Sequence, residues 1–145
     1  MYLVDTNVIS AFSPAAAHGN EPVRAWLEAQ SANLYLSVVT VAEIESGIAK
    51  AAREGATRKA ERLAAWLESV LHLYGDRILP VTTGAARLAG RLAGKARGAG
   101  ASPGFADILI AATASDVGLT ILTRNTKHFA ALGVAVMNPW NSLAL

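Results

Sequence analysis

The chain has 145 residues, of which 52% are hydrophobic and 17% are charged, so it can form one domain around a buried core. It contains no cysteine, which excludes a disulfide scaffold, a thiol nucleophile and a cysteine-ligated metal site. A net charge of +2 permits contact with nucleic acid but does not demand it, and three histidines make a histidine-rich zinc centre improbable.

The sequence has neither a basic leader at its N-terminus nor a run of about 18 apolar residues. We therefore expect a single domain over residues 1–145, a cytoplasmic location and no membrane-spanning helix.

Short apolar runs alternate with helical patterns along the chain. In order, they predict strand 1–4, helix 7–13, helix 22–30, strand 34–39, helices 41–53 and 57–74, strand 77–81, helix 84–97, a flexible connection over 98–104, helix 107–115, strand 119–123, helix 126–132 and strand 134–137. Asn138-Pro139-Trp140 is expected to end the regular structure. The alternation predicts an α/β fold, with a mainly parallel sheet covered by helices on both faces.

Polar side chains occur where the predicted strands end, which is where parallel sheets bind ligands. Asp5 closes the first strand, and Glu43 and Asp107 are predicted in the first turns of their helices. Thr123, Arg124 and Asn125 close the fourth strand. If the topology is correct, three carboxylates from distant parts of the chain meet at one edge of the sheet.

Each carboxylate also has a purely structural interpretation. Asp5 can cap the helix that follows it. Thr40 and Glu43 match a capping box, in which the glutamate reaches back to a backbone N–H. Asp107 can interact with the positive end of its helix dipole. Taken together, however, three clustered carboxylates repel each other unless a cation neutralises them, and oxygen ligands favour Mg²⁺ or Mn²⁺.

A carboxylate-bound Mg²⁺ indicates phosphate chemistry, since the metal neutralises phosphoryl charge and lowers the pKa of bound water. The sequence lacks the glycine-rich loops of nucleoside-triphosphate and dinucleotide sites. Arg87, Arg91 and Lys95 are spaced to lie on one helix face, where they would follow a nucleic-acid backbone or form an ordinary solvated surface. Arg124 is better placed, because it adjoins the acidic edge.

Five segments together resemble the PIN-domain ribonucleases, most closely the VapC-type toxins of the FitB-like branch. They are LVDTNVIS (3–10), VVTVAEIESG (38–47), ADILIAATA (106–114), LTRNTKHF (122–129) and VAVMNPW (134–140). They occur in family order and cover nearly the whole chain. The resemblance implies a three-layer α/β/α sandwich and a metal-dependent endoribonuclease.

The resemblance also implies roles for individual residues. Asp5, Glu43 and Asp107 fall on the family's acidic positions, which hold Mg²⁺ or Mn²⁺ and activate water for attack on an RNA phosphodiester. Thr6 and Thr123 fall on hydroxyl positions that support the acidic cluster. Such toxins form homodimers and are silenced by a cognate VapB-type antitoxin.

This chain departs from many relatives in the fourth-strand motif. Asn125 and His128 occupy positions where those relatives carry a further aspartate. The Asn125 amide can still accept a hydrogen bond from a metal-bound water, so we keep it among the catalytic candidates, but it adds no negative charge. We therefore expect one well-held metal ion, with any second ion held weakly or supplied by the substrate.

Two alternatives to the nuclease remain open. A catalytically degenerate PIN scaffold would bind a partner or RNA without cutting it, as the loss of the further acid suggests. A phosphotransfer protein with Asp5 as nucleophile is weaker, because the sequence lacks a D-x-D-x-T motif and its late lysine, Lys127, is predicted to start a helix.

Overall fold

The computed structural model describes residues 1–143. The strands are Tyr2–Val4 (β1), Leu34–Ser37 (β2), Ile78–Leu79 (β3), Thr120–Leu122 (β4) and Val136–Met137 (β5). The α-helices are Thr6–Ile9 (α1), Glu21–Ala29 (α2), Val38–Arg53 (α3), Thr57–Tyr74 (α4), Thr83–Gly98 (α5), Phe105–Val117 (α6), Thr126–Ala130 (α7) and Pro139–Ser142 (α8). Single turns of 3₁₀ helix follow α1 and precede β2 and β3.

All strand pairs are parallel, and the sheet order is β3-β2-β1-β4-β5. The central strand β1 pairs Leu3 with Tyr35 of β2 and with Ile121 of β4. The chain therefore moves from β1 to one neighbour and later returns to its other side. This order makes the C-terminal end of β1 a topological switch point, the usual ligand position in open parallel sheets.

The sheet has a hydrophobic core on each face, as expected for strands buried on both sides. Leu3 and Ile121 pack against α5, α6 and α7, whereas the alternate residues Val4 and Leu122 pack against α2, α3 and α4. The predicted three-layer α/β/α sandwich is confirmed. In residues 1–143, no helix has both the length and the hydropathy needed to cross a membrane.

Two local predictions are wrong. Helix α3 begins at Val38, not near Val41, because the Ser37 hydroxyl caps it by accepting the Val39 N–H at 3.0 Å. The Thr40–Glu43 capping box therefore does not form, and Glu43 lies in the second turn of α3. The regular structure also continues past Asn138, whose side chain accepts the Trp140 N–H at 3.0 Å and caps α8.

Arg77 holds the edge of the sheet together. Its guanidinium donates to the carbonyls of Ser31 and Leu34 at 2.6 Å each and to that of Leu73 at 3.0 Å. It also lies over the Tyr74 ring, 5.1 Å from the centroid. This arginine, one of the basic residues between Asp76 and Asp107, therefore joins the start of β2 to the end of α4.

We expect Arg77→Lys to lower the free energy of unfolding by about 2 kcal/mol, because an ammonium keeps the charge but cannot reach three carbonyls from one planar group. Urea unfolding measures the change. Arg58→Lys, at an exposed position of α4, is the matched control and should leave the midpoint unchanged. Equal midpoints for the two variants would contradict this role for Arg77.

Candidate active site

Asp5 is a buried carboxylate at the C-terminal end of β1. Its N–H donates to the Leu122 carbonyl at 2.9 Å, which extends the ladder with β4 by one residue. One carboxylate oxygen accepts the Thr6 N–H and the other accepts the Thr123 hydroxyl, both at 2.8 Å. The side chain caps α1 as well, so the structural interpretation of Asp5 holds beside any functional one. Only 4% of the residue is exposed.

The Thr123 hydroxyl has a fixed orientation. Its oxygen accepts the Asn125 N–H at 3.0 Å and the Asn7 side-chain amide at 3.3 Å. These two bonds use both lone pairs of the hydroxyl, so its single proton is left for Asp5. The contact of Asn125 with this network is made by its backbone, and its side chain does not cap α7.

Glu43 is oriented by Thr6. The Thr6 hydroxyl lies 2.7 Å from a carboxylate oxygen of Glu43 and 3.0 Å from the hydroxyl of Thr40, which is buried. Because the Thr6 N–H is bonded to Asp5, this one residue connects two of the three predicted acids. The supporting positions predicted for Thr6 and Thr123 are thus both in contact with carboxylates.

Asp107 lies in the first turn of α6, with 27% of its side chain exposed. Its carboxylate is 3.7 Å from the Nδ1 of His128. The sequence singled out His128 only as a position where many relatives carry an aspartate, not as a neighbour of Asp107. The signal that could have found it is its spacing of three residues from Asn125 at the start of a helix, which turns it towards the same edge of the sheet.

The acids influence one another electrostatically. The pKa of Asp5 is raised to about 6, mainly by burial and to a smaller extent by the negative charges of Asp107 and Glu43. The hydrogen bonds from Thr123 and Thr6 act in the opposite direction by stabilising the carboxylate. At neutral pH Asp5 therefore carries a charge in a place where charge is costly, and a cation beside it would remove much of that cost.

The carboxylate oxygens at this edge are suitable ligands for a magnesium-like ion, but they do not enclose such an ion on all sides. In residues 1–143, no three Asp, Glu or His side chains are arranged to hold one ion among them. Mg²⁺ commonly binds to one or two carboxylates and keeps several of its waters. Asp5 and Asp107 offer carboxylates of that kind, and Glu43, held by Thr6, is a third acid close enough to raise the pKa of Asp5.

Arg124 is fixed beside the acidic edge by stacking. Its guanidinium lies 3.7 Å from the centroid of the Trp140 ring. The indole Nε1–H of Trp140 donates to the side-chain oxygen of Asn20 at 3.0 Å, and Phe12 lies nearly parallel to the Trp140 ring with centroids 6.3 Å apart. Arg24 covers the Phe12 ring at 5.0 Å. The sequence left the environment of Trp140 undecided because these partners are distant along the chain.

The three residues of the predicted basic stripe lie in different surroundings in the structure. Arg87, Arg91 and Lys95 are all exposed on α5. Lys95 lines a groove together with Lys127 and His128, and His128 contacts Asp107. Arg87 and Arg91 lie two turns and one turn earlier on the helix.

Comparison with known proteins identifies relatives over nearly the whole chain. A model of the PIN domain matches residues 2–134. The chain is 41% identical to Toxin FitB of Neisseria gonorrhoeae over 97% of this chain and 99% of that protein. It is 39% identical to the VapC ribonuclease Y4jK of Sinorhizobium fredii over 97% and 98% of the two chains.

The fold also matches solved structures. The crystal structure of FitAcB from Neisseria gonorrhoeae superposes with a TM-score of 0.83 at 41% identity, covering 97% of this chain and 99% of that one. A DNA-bound VapBC structure from Salmonella typhimurium shares the fold, with a TM-score of 0.79 at 23% identity over 95% and 97% of the two chains. On the family match and these relatives, the chain belongs to the PIN-domain family.

Proposed function

We propose that this protein is a Mg²⁺- or Mn²⁺-dependent endoribonuclease that acts as the toxin of a toxin–antitoxin pair. The observation that carries the proposal is Asp5, a buried carboxylate at the switch point of the sheet whose pKa is raised by burial and by two neighbouring acids. The relatives named Toxin FitB and VapC ribonuclease support the same activity.

In this proposal Asp5 and Asp107 are the direct metal ligands. Glu43, held by the Thr6 hydroxyl, completes the site by orienting the attacking water. Thr123 keeps the Asp5 carboxylate in place by donating its only proton to it. A cation held by these residues would neutralise phosphoryl charge and lower the pKa of water, which suits hydrolysis near neutral pH.

Arg124 and Asn125 act beside the acids. The Arg124 guanidinium, stacked on Trp140, presents donors to a phosphate of the RNA, and stacking reduces the entropy lost when it binds. Asn125, exposed at the start of α7, would offer its amide oxygen to a water of a bound metal. Neither residue adds negative charge, so one metal ion remains the expected stoichiometry.

We further propose that a VapB-type antitoxin silences the protein. The support is that related chains were solved as complexes named FitAcB and VapBC. A homodimer and a cytoplasmic location, where RNA and antitoxin would be encountered, remain part of the same proposal.

A second candidate is a catalytically degenerate PIN scaffold that binds a partner or RNA. The observation that favours it is the acidic edge itself, where Asn125 and His128 replace a further acid and no three described side chains form a metal cage. Metal binding without turnover on a broad panel of RNAs would support this candidate.

We expect the purified chain, freed of any partner, to cut RNA with Mg²⁺ or Mn²⁺ and to be inactive in EDTA. Asp5→Asn should lower cleavage by about 100-fold or more, since it removes a proposed metal ligand. Glu45→Gln, which changes an exposed acid on the same helix as Glu43, is the control and should keep wild-type activity. Undiminished cleavage by Asp5→Asn would refute the assignment.

We expect Thr123→Val to lower Mg²⁺ affinity or cleavage by about 10–100-fold, the usual effect of losing a group that orients a metal ligand. Valine leaves Asp5 without its buried donor and the Asn125 N–H without an acceptor. Thr123→Ser retains the hydroxyl and should stay within a few-fold of wild type. Calorimetric Mg²⁺ titration separates a binding defect from a catalytic one, and a valine variant equal to the serine variant would count against the role.

Asp5 should make stability depend on pH when metal is absent. Its pKa is raised to about 6 in the folded chain from 3.8, so the folded state binds the proton more tightly than the unfolded state. The resulting stabilisation is complete below about pH 4 and is lost as pH rises through about 6. In EDTA, the stability of wild type relative to Asp5→Asn should fall by on the order of 3 kcal/mol between pH 4 and 7.

Mg²⁺ should restore the lost stability at pH 7, and its effect should be weaker below pH 5, where Asp5 is protonated. Chemical unfolding at each pH measures both changes. Parallel pH curves for wild type and Asp5→Asn would show that the Asp5 carboxylate is not destabilised by folding.

A further inference from the structure

A groove of about 440 Å³ begins beside the acidic edge, between the end of α5, the connection over residues 99–104 and α7. Its floor is apolar and includes Leu92, Ala96 and Leu132, while Lys95 and Lys127 are exposed along it. The groove thus combines an apolar floor with cationic side chains.

His128 connects this groove to the candidate active site. It lines the groove, and its Nδ1 lies 3.7 Å from the Asp107 carboxylate. An RNA strand with one phosphate beside Asp5 and Asp107 can therefore continue past His128 into the groove along the protein surface.

Charge distinguishes this groove from a second one that also adjoins the acids. The second groove, of about 330 Å³ between α3 and α4, begins at Thr6 and is lined by two lysines, Lys50 and Lys59, and by two acids, Glu43 and Glu54. The Lys50 ammonium is 4.0 Å from the Glu54 carboxylate, and the two acids balance the two lysine charges of this groove. The residues that line the α5–α7 groove within the described chain include no Asp or Glu.

We propose that single-stranded RNA leaves the active site along the α5–α7 groove, with successive phosphates against Lys127 and Lys95 and a base against the apolar floor. The inference rests on the proposed nuclease function and deepens it by assigning the path of the strand. Single-stranded RNA fits because it offers both parts that the groove would contact, a charged backbone and unstacked bases with apolar faces.

The stripe on α5 provides a matched control. Successive positions at a spacing of four drift by about 40° around a helix, so Arg87 is turned about 80° from Lys95 and lies about 12 Å along the axis. The pair Arg87→Gln and Arg91→Gln removes two charges from the same helix, as the pair Lys95→Gln and Lys127→Gln removes two charges from the groove. All four side chains are exposed, so neither pair disturbs the core.

The test is binding of a short, fluorescently labelled single-stranded RNA by anisotropy over a range of salt concentrations. It uses the full chain carrying Asp107→Asn, in EDTA, so that the RNA is not cut. We expect the lysine pair to weaken binding and to reduce the slope of log K against log salt by about 1.4, or about 0.7 for each phosphate that the protein no longer neutralises. The arginine pair should change the slope by less than half as much.

In the wild-type background, where RNA is cut, the lysine pair should raise the KM for RNA with little change in kcat.

Equal slopes for the lysine and arginine pairs, with RNA still bound, would overturn the groove assignment and leave the nuclease proposal standing. An unchanged RNA slope together with weaker binding of a purified antitoxin would assign the groove to an acidic peptide and would also overturn it. Failure of the wild-type chain to bind or cut any RNA would overturn the proposed function and this inference together.

Discussion

The bond from the Thr123 hydroxyl to Asp5 is the interaction around which the acidic edge is organised. It joins the ends of β1 and β4, two strands that are neighbours at the switch point. It also donates a hydrogen bond to a carboxylate that burial keeps away from water. The Asn7 amide and the Asn125 N–H fix the direction of that proton by occupying the remaining lone pairs. Helix α1 and the connection that follows β4 are thereby both bonded to one oxygen atom.

The same hydrogen-bond network explains how two of the three acids, Asp5 and Glu43, are held together although they lie far apart in the sequence. Thr6 links Asp5 to Glu43 through its N–H and its hydroxyl, so α1 and α3 are coupled through a single residue. Asp107 arrives separately on α6, from the other face of the sheet, and its neighbour is His128 rather than a threonine. Asp5 and Glu43 are therefore held by hydrogen bonds within the fold, whereas the partly exposed Asp107 carboxylate lies 3.7 Å from the Nδ1 of His128.

Sequence patterns predicted the parts of this arrangement that depend on local order. Strands such as β1 and β4 are short apolar runs with a polar residue at the end, and that residue reaches the edge of the sheet whatever its neighbours are. The pattern failed at a helix cap and at a long-range contact. The Ser37 cap starts α3 earlier than the β-branched Val38 and Val39 suggested, and the stacking of Trp140 on Phe12 joins residues more than 120 positions apart.

The stability cost at Asp5 bears on whether the chain is a nuclease or an inert scaffold. A protein that needed only the fold could place an uncharged side chain at the end of β1 and avoid the repulsion from Asp107 and Glu43. Buried charges that lower stability are usual where chemistry requires them, because function and stability then make opposite demands. Since the hydrogen bonds of Thr123 and Thr6 stabilise the ionised form of Asp5, the local structure is arranged to keep this costly charge rather than to neutralise it. That arrangement favours a carboxylate that binds a cation over one that serves only as a helix cap.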